Sequence, residues 1–356
     1  MSTQQRSYRV GQVGYRGRGR GLAEYWGGVE GARLVAMADL VGEHLEDARG
    51  EYPDIMTYPD HNAMLDDADL DVVVVATAPK FRLPIVQDSA GKVRGIYMEK
   101  PIASSLAEAD IMIKQCRDNG TVLTIGHQRR WSPEWLWIRD AIRDGAIGRP
   151  THGWLTWPIG RIFANGTHFF DSINLALDSR PVEVRGTLDF GPGTEEEGAD
   201  PKLLTAVMSF DPGARGFITY ANGARIAVDG QNDVIMPFTY LFAGTRGRIQ
   251  FEEEAGWTID YRARDVDTRD LRSGEPVIKR DPPDIPSREL GSAEAVGYRE
   301  LLKCIETGAP STSSGEDARL AMEIIVAFHL SHEAGGKPVS LPLPESALSY
   351  TLLHQG

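Results

Sequence analysis

Two side chains of types that could handle a proton and a developing charge lie in segments with unusual punctuation. Residues 95–101 read GIYMEKP, an apolar run ending in Glu99, Lys100 and Pro101. The proline disfavours helical backbone at Lys100, so this side chain leaves a strand end at a set angle. Farther on, NGTHFFD places His168 three residues before Asp171, on what reads as the opening turn of a helix. An ammonium titrating at about 10.4 stays charged at neutral pH and can stabilise an alkoxide, whereas an imidazole at about 6.5 can take and return a proton. That pair suits oxidation of a secondary alcohol, in which a hydride and a hydroxyl proton leave one carbinol. Singly, a strand-end lysine is usually solvated and a histidine beside Phe169 and Phe170 usually packs in a core. A nucleotide-binding turn upstream gives the combination its meaning.

That turn is VGQVGYRGRGRG at residues 10–21, an apolar strand running into Gly14, Gly17 and Gly19 and then into a helical pattern. Gly14 and Gly19 occupy the first and third places of a dinucleotide fingerprint; Arg16 stands at the middle place, and Gly17 supplies the slack that Arg16 removes. Asp39 follows a second strand in VAMADL, 20 residues past Gly19, where a carboxylate accepts from a ribose hydroxyl and repels a 2′-phosphate. NAD is therefore favoured over NADP, with the cluster Arg16, Arg18 and Arg20 as a countervailing phosphate site. The tryptophans Trp154 and Trp157 lie on a strand leading toward His168 and offer faces for the apolar side of a sugar ring.

Parallel strands with crossover helices must position these groups. Short apolar runs at residues 8–13, 33–38, 71–77, 95–98 and 121–125 alternate with helical patterns, and Val72–Val75 is apolar at every position, as a strand covered on both faces is. The first domain is thus a doubly wound parallel sheet of Rossmann type over 1–125. Ser105 with Glu108 marks a helix start. Beyond it, alternation by two, as in Leu204, Ala206, Met208 and Phe210, predicts a large, mostly antiparallel open sheet in a C-terminal α/β domain over 126–356. Residues 263–286 read as a loop. Two helices close the chain, the second opened by Ser314 and Asp317 and ended by Gly335.

With 356 residues, 41% hydrophobic and 25% charged, the chain has material for two domains. Its net charge of −13 disfavours nucleic acid and anionic membrane surfaces as partners. Cys116 and Cys304 form no CxxC pair, and the N-terminus has no apolar signal core; a reducing, cytoplasmic setting is expected. His329 and His332 lack a third ligand, so no metal is expected. Serine-hydrolase, phosphate-loop and zincin motifs do not occur.

Taken with TAP at 77–79, EKP at 99–101, GHQRRWSP at 126–133, GAIGRP at 145–150, GTHFFD at 166–171 and AGTRGRI at 243–249, the chain resembles the Gfo/Idh/MocA family of nicotinamide-dependent oxidoreductases, whose members act mainly on sugars, sugar derivatives and inositols. The resemblance implies that Lys100 contacts the reacting hydroxyl and that His168 is the acid/base. It implies further that Gly14, Tyr15, Arg16, Gly17, Gly19, Asp39, Thr77, Ala78, Pro79, Glu99, Lys100 and Arg129 serve the cofactor. Arg130 and Asn165 join Trp154, Trp157, Lys100 and His168 on the substrate side, and the open sheet pairs copies into a homodimer or homotetramer. Two places depart from the pattern: Ala164 stands where simple dehydrogenases of the family often carry aspartate, and Arg82 where a histidine is usual. Ala164 keeps open an enzyme that cleaves or epimerises a glycoside through transient oxidation with NAD recycled, and Arg16 with Ala164 a nicotinamide-binding regulator without chemistry.

Overall fold

The run Val72–Val75 forms a strand in which every residue is fully buried. In the computed structural model, which describes residues 7–158, 161–190, 211–230, 238–253, 257–263, 278–280 and 292–352, this strand is β4 of a six-stranded parallel sheet. The elements are β1 (Tyr8–Val13), α1 (Arg18–Trp26), β2 (Ala32–Ala38), α2 (Gly42–Glu51), β3 (Met56–Tyr58), α3 (His61–Asp67), β4, α4 (Arg82–Ser89), β5 (Gly95–Met98), α5 (Leu106–Asp118) and β6 (Val122–Ile125). Strand order is β3-β2-β1-β4-β5-β6, reversing between β1 and β4. Outside the carboxyl ends at such a reversal, open parallel sheets bind ligands. The expected helix start is present at α5: Ser105 Oγ accepts from Glu108 N–H, while Glu108 Oε2 accepts from Ser104 N–H.

A second sheet has nine strands among the described residues, in the order β14-β13-β12-β11-β7-β10-β9-β8-β15. Its elements, with the helices that follow in sequence, are α6 (Pro133–Arg143), β7 (Pro150–Trp157), α7 (Gly166–Leu177), β8 (Pro181–Asp189), β9 (Gly213–Tyr220), β10 (Arg225–Gly230), β11 (Phe238–Gly244), β12 (Gly247–Glu253), β13 (Trp257–Ala263), β14 (Ile278–Arg280), α8 (Ser292–Thr307), α9 (Gly315–Glu333) and β15 (Val339–Ser340). All neighbours are antiparallel except β7 and β10. The expected strand at 204–210 lies outside the described residues. Within the stretch expected to be a loop, residues 278–280 form β14 and pair with β13. One face of this sheet is packed: Trp135 of α6 meets Tyr240 and Phe251 edge-on, and Phe169 and Phe170 of α7 close on Trp157. On the opposite face Trp154 and Phe217 are about half exposed.

The chain divides into two compact units, residues 1–131 with 288–319 and residues 132–287 with 320–356. Residues 288–319 thus fall with the first unit, whereas a division at residue 125 leaves the whole C-terminal stretch in the second. The reason lies in α8. Tyr298 stacks on Trp26 with ring centres 4.1 Å apart, meets Tyr97 edge-on at 4.6 Å, and donates its hydroxyl to the Leu22 carbonyl at 3.2 Å. Helical periodicity reveals that a helix has an apolar face; it does not reveal which sheet that face covers. At the start of α9 the Ser314 and Asp317 box forms in both directions, Asp317 N–H to Ser314 Oγ at 3.1 Å and Ser314 N–H to Asp317 Oδ2 at 3.2 Å.

Candidate active site

The glycine turn closes over the carboxyl end of β1. Gly14 adopts φ +93° and Gly17 φ +56°, backbone that side-chain-bearing residues rarely take. A Cβ on Gly19 would lie 2.5 Å from the Gly14 carbonyl oxygen, so only hydrogen lets α1 approach the turn this closely. Sequence reasoning missed Gln12, which is fully buried and donates from Nε2 to the Gly14 and Gly19 carbonyls at 2.8 and 2.7 Å. A glutamine inside an apolar strand was the available signal. Arg16 is exposed, and Gly17 caps α1 with no atom within 4 Å of where its Cβ would be. At the end of β4 the buried Thr77 hydroxyl has no hydrogen-bond partner among the described residues. An open turn at a helix N-terminus and an orphaned hydroxyl across from it fit a dinucleotide.

Asp39, at the end of β2, is nearly buried. Its Oδ2 accepts from Tyr15 N–H at 2.9 Å, and its Oδ1 from Val41 N–H at 2.9 Å with His44 Nδ1 at 3.1 Å. The nearby arginines do not neutralise it. Arg20 pairs with Glu51, itself bonded by the Tyr15 hydroxyl at 2.5 Å, and Arg18 reaches Glu99 at 3.0 Å and Glu294. Burial alone would lower the Arg18 pKa; Glu99 and Glu294 outweigh that and hold it above the usual guanidinium range. Two of the three arginines in the turn are thus committed to carboxylates of the protein.

Arg82 resolves one departure from the family pattern. Nearly fully buried, it donates to the Thr77 carbonyl from Nε at 2.9 Å and Nη2 at 2.7 Å, to the Lys100 carbonyl at 3.5 Å, and to the carbonyls of Glu99 and Pro101. Burial pulls its pKa down to about 10, against the pull of Glu99, so it remains a cation at neutral pH. This guanidinium ties the end of β4 to the backbone on both sides of Lys100, whose side chain is half-buried. Glu99 is buried against Arg18, which makes it a support for the turn.

In the second unit His168 sits half-buried in the first turn of α7, behind Asn165 at the N-cap, with Asp171 fully buried one turn on. Asp211 holds the preceding loop: its carboxylate accepts from Phe163 N–H at 2.6 Å and from Ala164 N–H at 2.9 Å. Asp211-Pro212-Gly213 reads in sequence only as a turn, so this contact had no local signal. Three residues expected on the substrate side are placed as follows. Trp157 is wholly buried against Phe169 and Phe170 and belongs to the core. Trp154 projects from the sheet face opposite to α7, as alternation along β7 requires. Arg130 is buried, donating to the Thr312 carbonyl at 2.8 Å and pairing with Asp317 at 3.2 Å, which makes it a structural tie.

Comparison with known proteins gives a consistent result. The model of an oxidoreductase family with an NAD-binding Rossmann fold matches residues 8–127, and that of the same family's C-terminal alpha/beta domain matches residues 157–341. The chain is 24% identical to D-apiose dehydrogenase of Paraburkholderia graminis over 87% of this chain and 84% of that one. With myo-inositol 2-dehydrogenase of Thermotoga maritima it shares 26% identity over 88% of this chain and 93% of the other. In fold it is similar to levoglucosan dehydrogenase, solved with NADH and L-sorbose, at a TM-score of 0.80 and 18% identity over 95% and 100% of the two chains. Among the described residues no helix is long and apolar enough to cross a membrane, and none of the His, Cys, Asp and Glu groups could hold a metal ion.

Proposed function

The chain belongs to the Gfo/Idh/MocA family of oxidoreductases, and on that premise we propose that it oxidises a secondary hydroxyl of a sugar, sugar derivative or cyclic polyol with NAD. The observation that carries this reading is one shared location: the glycine turn, the orphaned Thr77 hydroxyl and the Lys100 backbone clamped by Arg82 all lie at the carboxyl ends of β1, β4 and β5. Relatives that act on apiose and on inositol support the substrate class.

NAD, when bound, supplies the hydride acceptor. The turn residues Gly14 to Gly19 and the N-terminus of α1 hold its diphosphate, and Asp39 accepts from its ribose while repelling a 2′-phosphate. Lys100, as an ammonium, stabilises the alkoxide that forms as the hydroxyl proton departs. His168, in the first turn of α7 behind the loop that Asp211 fastens, takes that proton. A second copy of the chain covers the sheet face that bears Trp154 and Phe217.

The test incubates the protein with NAD and a panel of pentoses, hexoses, uronates and inositols, following NADH and the carbon products together. NADH formed in proportion to an oxidised sugar is the expected result. His168→Ala lowers turnover by about 10²- to 10⁴-fold with NADH binding nearly intact; an equally active variant refutes the assignment.

A further inference from the structure

We propose that His44 is a positioning residue that sets discrimination at the 2′ position of the dinucleotide, acting through Asp39. The inference rests on the reading of Asp39 as the ribose acceptor and adds a residue that neither the glycine turn nor the acid after β2 implies.

The geometry is closed and local. His44 lies in the first turn of α2, its own N–H bonded to the Val41 carbonyl at 3.1 Å, and its Nδ1 stands 3.1 Å from Asp39 Oδ1. Both side chains are largely buried, with relative exposures of 19% for His44 and 11% for Asp39. Among the described residues Asp39 has three partners, Tyr15 N–H on Oδ2 and Val41 N–H with His44 on Oδ1. A carboxylate offers about four acceptor sites. One therefore remains, on Oδ2, the oxygen beside the glycine turn, so Asp39 serves a single ribose hydroxyl and His44 closes the alternative on Oδ1.

Selectivity follows from an asymmetry between the two dinucleotides. NADH uses the hydrogen bond to Asp39, so it gains from a carboxylate held with an acceptor site open on Oδ2. NADPH is excluded by the carboxylate's charge, which is the same however the group is tilted. Removing the imidazole frees Oδ1 to take water and lets the carboxylate turn, so the loss falls on NADH. Asparagine restores the contact, because its amide nitrogen stands the same number of bonds from the backbone as Nδ1.

The experiment titrates NADH and NADPH by energy transfer from tryptophan and by calorimetry, into the full-length protein and its His44→Ala, His44→Asn and Asp39→Ala variants. His44→Ala should bind NADH about 3- to 10-fold more weakly with NADPH affinity unchanged, and His44→Asn should return NADH affinity to within about 2-fold of the parent. Equal losses for both dinucleotides, an unchanged NADH affinity in His44→Ala, or no recovery in His44→Asn overturns the positioning role. Asp39→Ala separates the two readings. If it shifts the ratio of NADH to NADPH affinity while His44→Ala does not, only the role of His44 falls; if Asp39→Ala leaves the ratio unchanged, the ribose acceptor falls and His44 with it.

Discussion

Replacing Arg82 by methionine tests whether the lysine-bearing strand end is held in place by a buried cation. The substitution keeps side-chain length and removes donors that reach four carbonyls, those of Thr77, Glu99, Lys100 and Pro101. Two effects oppose each other. Removing a buried charge returns several kcal/mol of desolvation, which is why replacing both members of a buried polar pair can be neutral. Here, however, the carbonyls stay behind. Those of Glu99 and Pro101 are bonded in buried surroundings, and each costs about 1–3 kcal/mol when left without a donor. With the Thr77 and Lys100 carbonyls also weakened, the net loss should be about 3 kcal/mol of folding stability. Arg82→Lys keeps the charge but presents its donors from one point, which cannot span Thr77 and Pro101 together; about 2 kcal/mol is expected. Urea unfolding followed by circular dichroism measures both. Because a displacement of about 1 Å at a reacting group can cost 10²-fold in rate, turnover in Arg82→Lys should fall at least 10-fold, by more than any change in KM. An Arg82→Met protein within about 0.5 kcal/mol of the parent, with unaltered turnover, refutes the clamp.

Other outcomes follow from the same packing. Gly19→Ala, whose Cβ would meet the Gly14 carbonyl at 2.5 Å, should cost about 1–3 kcal/mol and at least 10-fold in NADH affinity, read by titration, whereas Gly17→Ala, with open space but φ +56° and ψ −115°, should cost about 1–3 kcal/mol through backbone strain alone. Trp157→Ala should destabilise the second unit by about 3–5 kcal/mol in urea. Stability should also decline in alkali. Burial raises the Cys116 thiol to about 12, with Glu316 adding to it, and burial raises the hydroxyls of Tyr97, Tyr220 and Tyr298 above their ordinary values. Protons held more tightly in the folded chain stabilise it fully below about pH 9 and are lost as pH rises toward 12. Arg82, drawn down to about 10, works in the opposite direction but is one group against four. Urea midpoints that do not fall between pH 8 and pH 11 would contradict this balance.

Residues that announce themselves locally were correctly interpreted from the chain alone. The fully apolar Val72–Val75, the glycines at 14 and 19 and the Ser314–Asp317 box each satisfy a constraint within a few residues, and each took the expected form. Alternation by two marked the second sheet, but it separates the faces of a strand without naming the packed one. Trp157 turned to the core and Trp154 to the open face.

Local pattern thus set the order of strands and helices, the glycine turn and the acid behind it, because backbone sterics and side-chain period act over short spans of chain. Folding alone settled the partners of charged groups separated by tens or hundreds of residues: Arg82 with the carbonyls around Lys100, Arg18 with Glu99 and Glu294, Asp211 with the loop before His168, and α8 with the first sheet. A buried cation takes whatever acceptors the packed chain brings within about 3 Å, and no spacing along the sequence records which those will be.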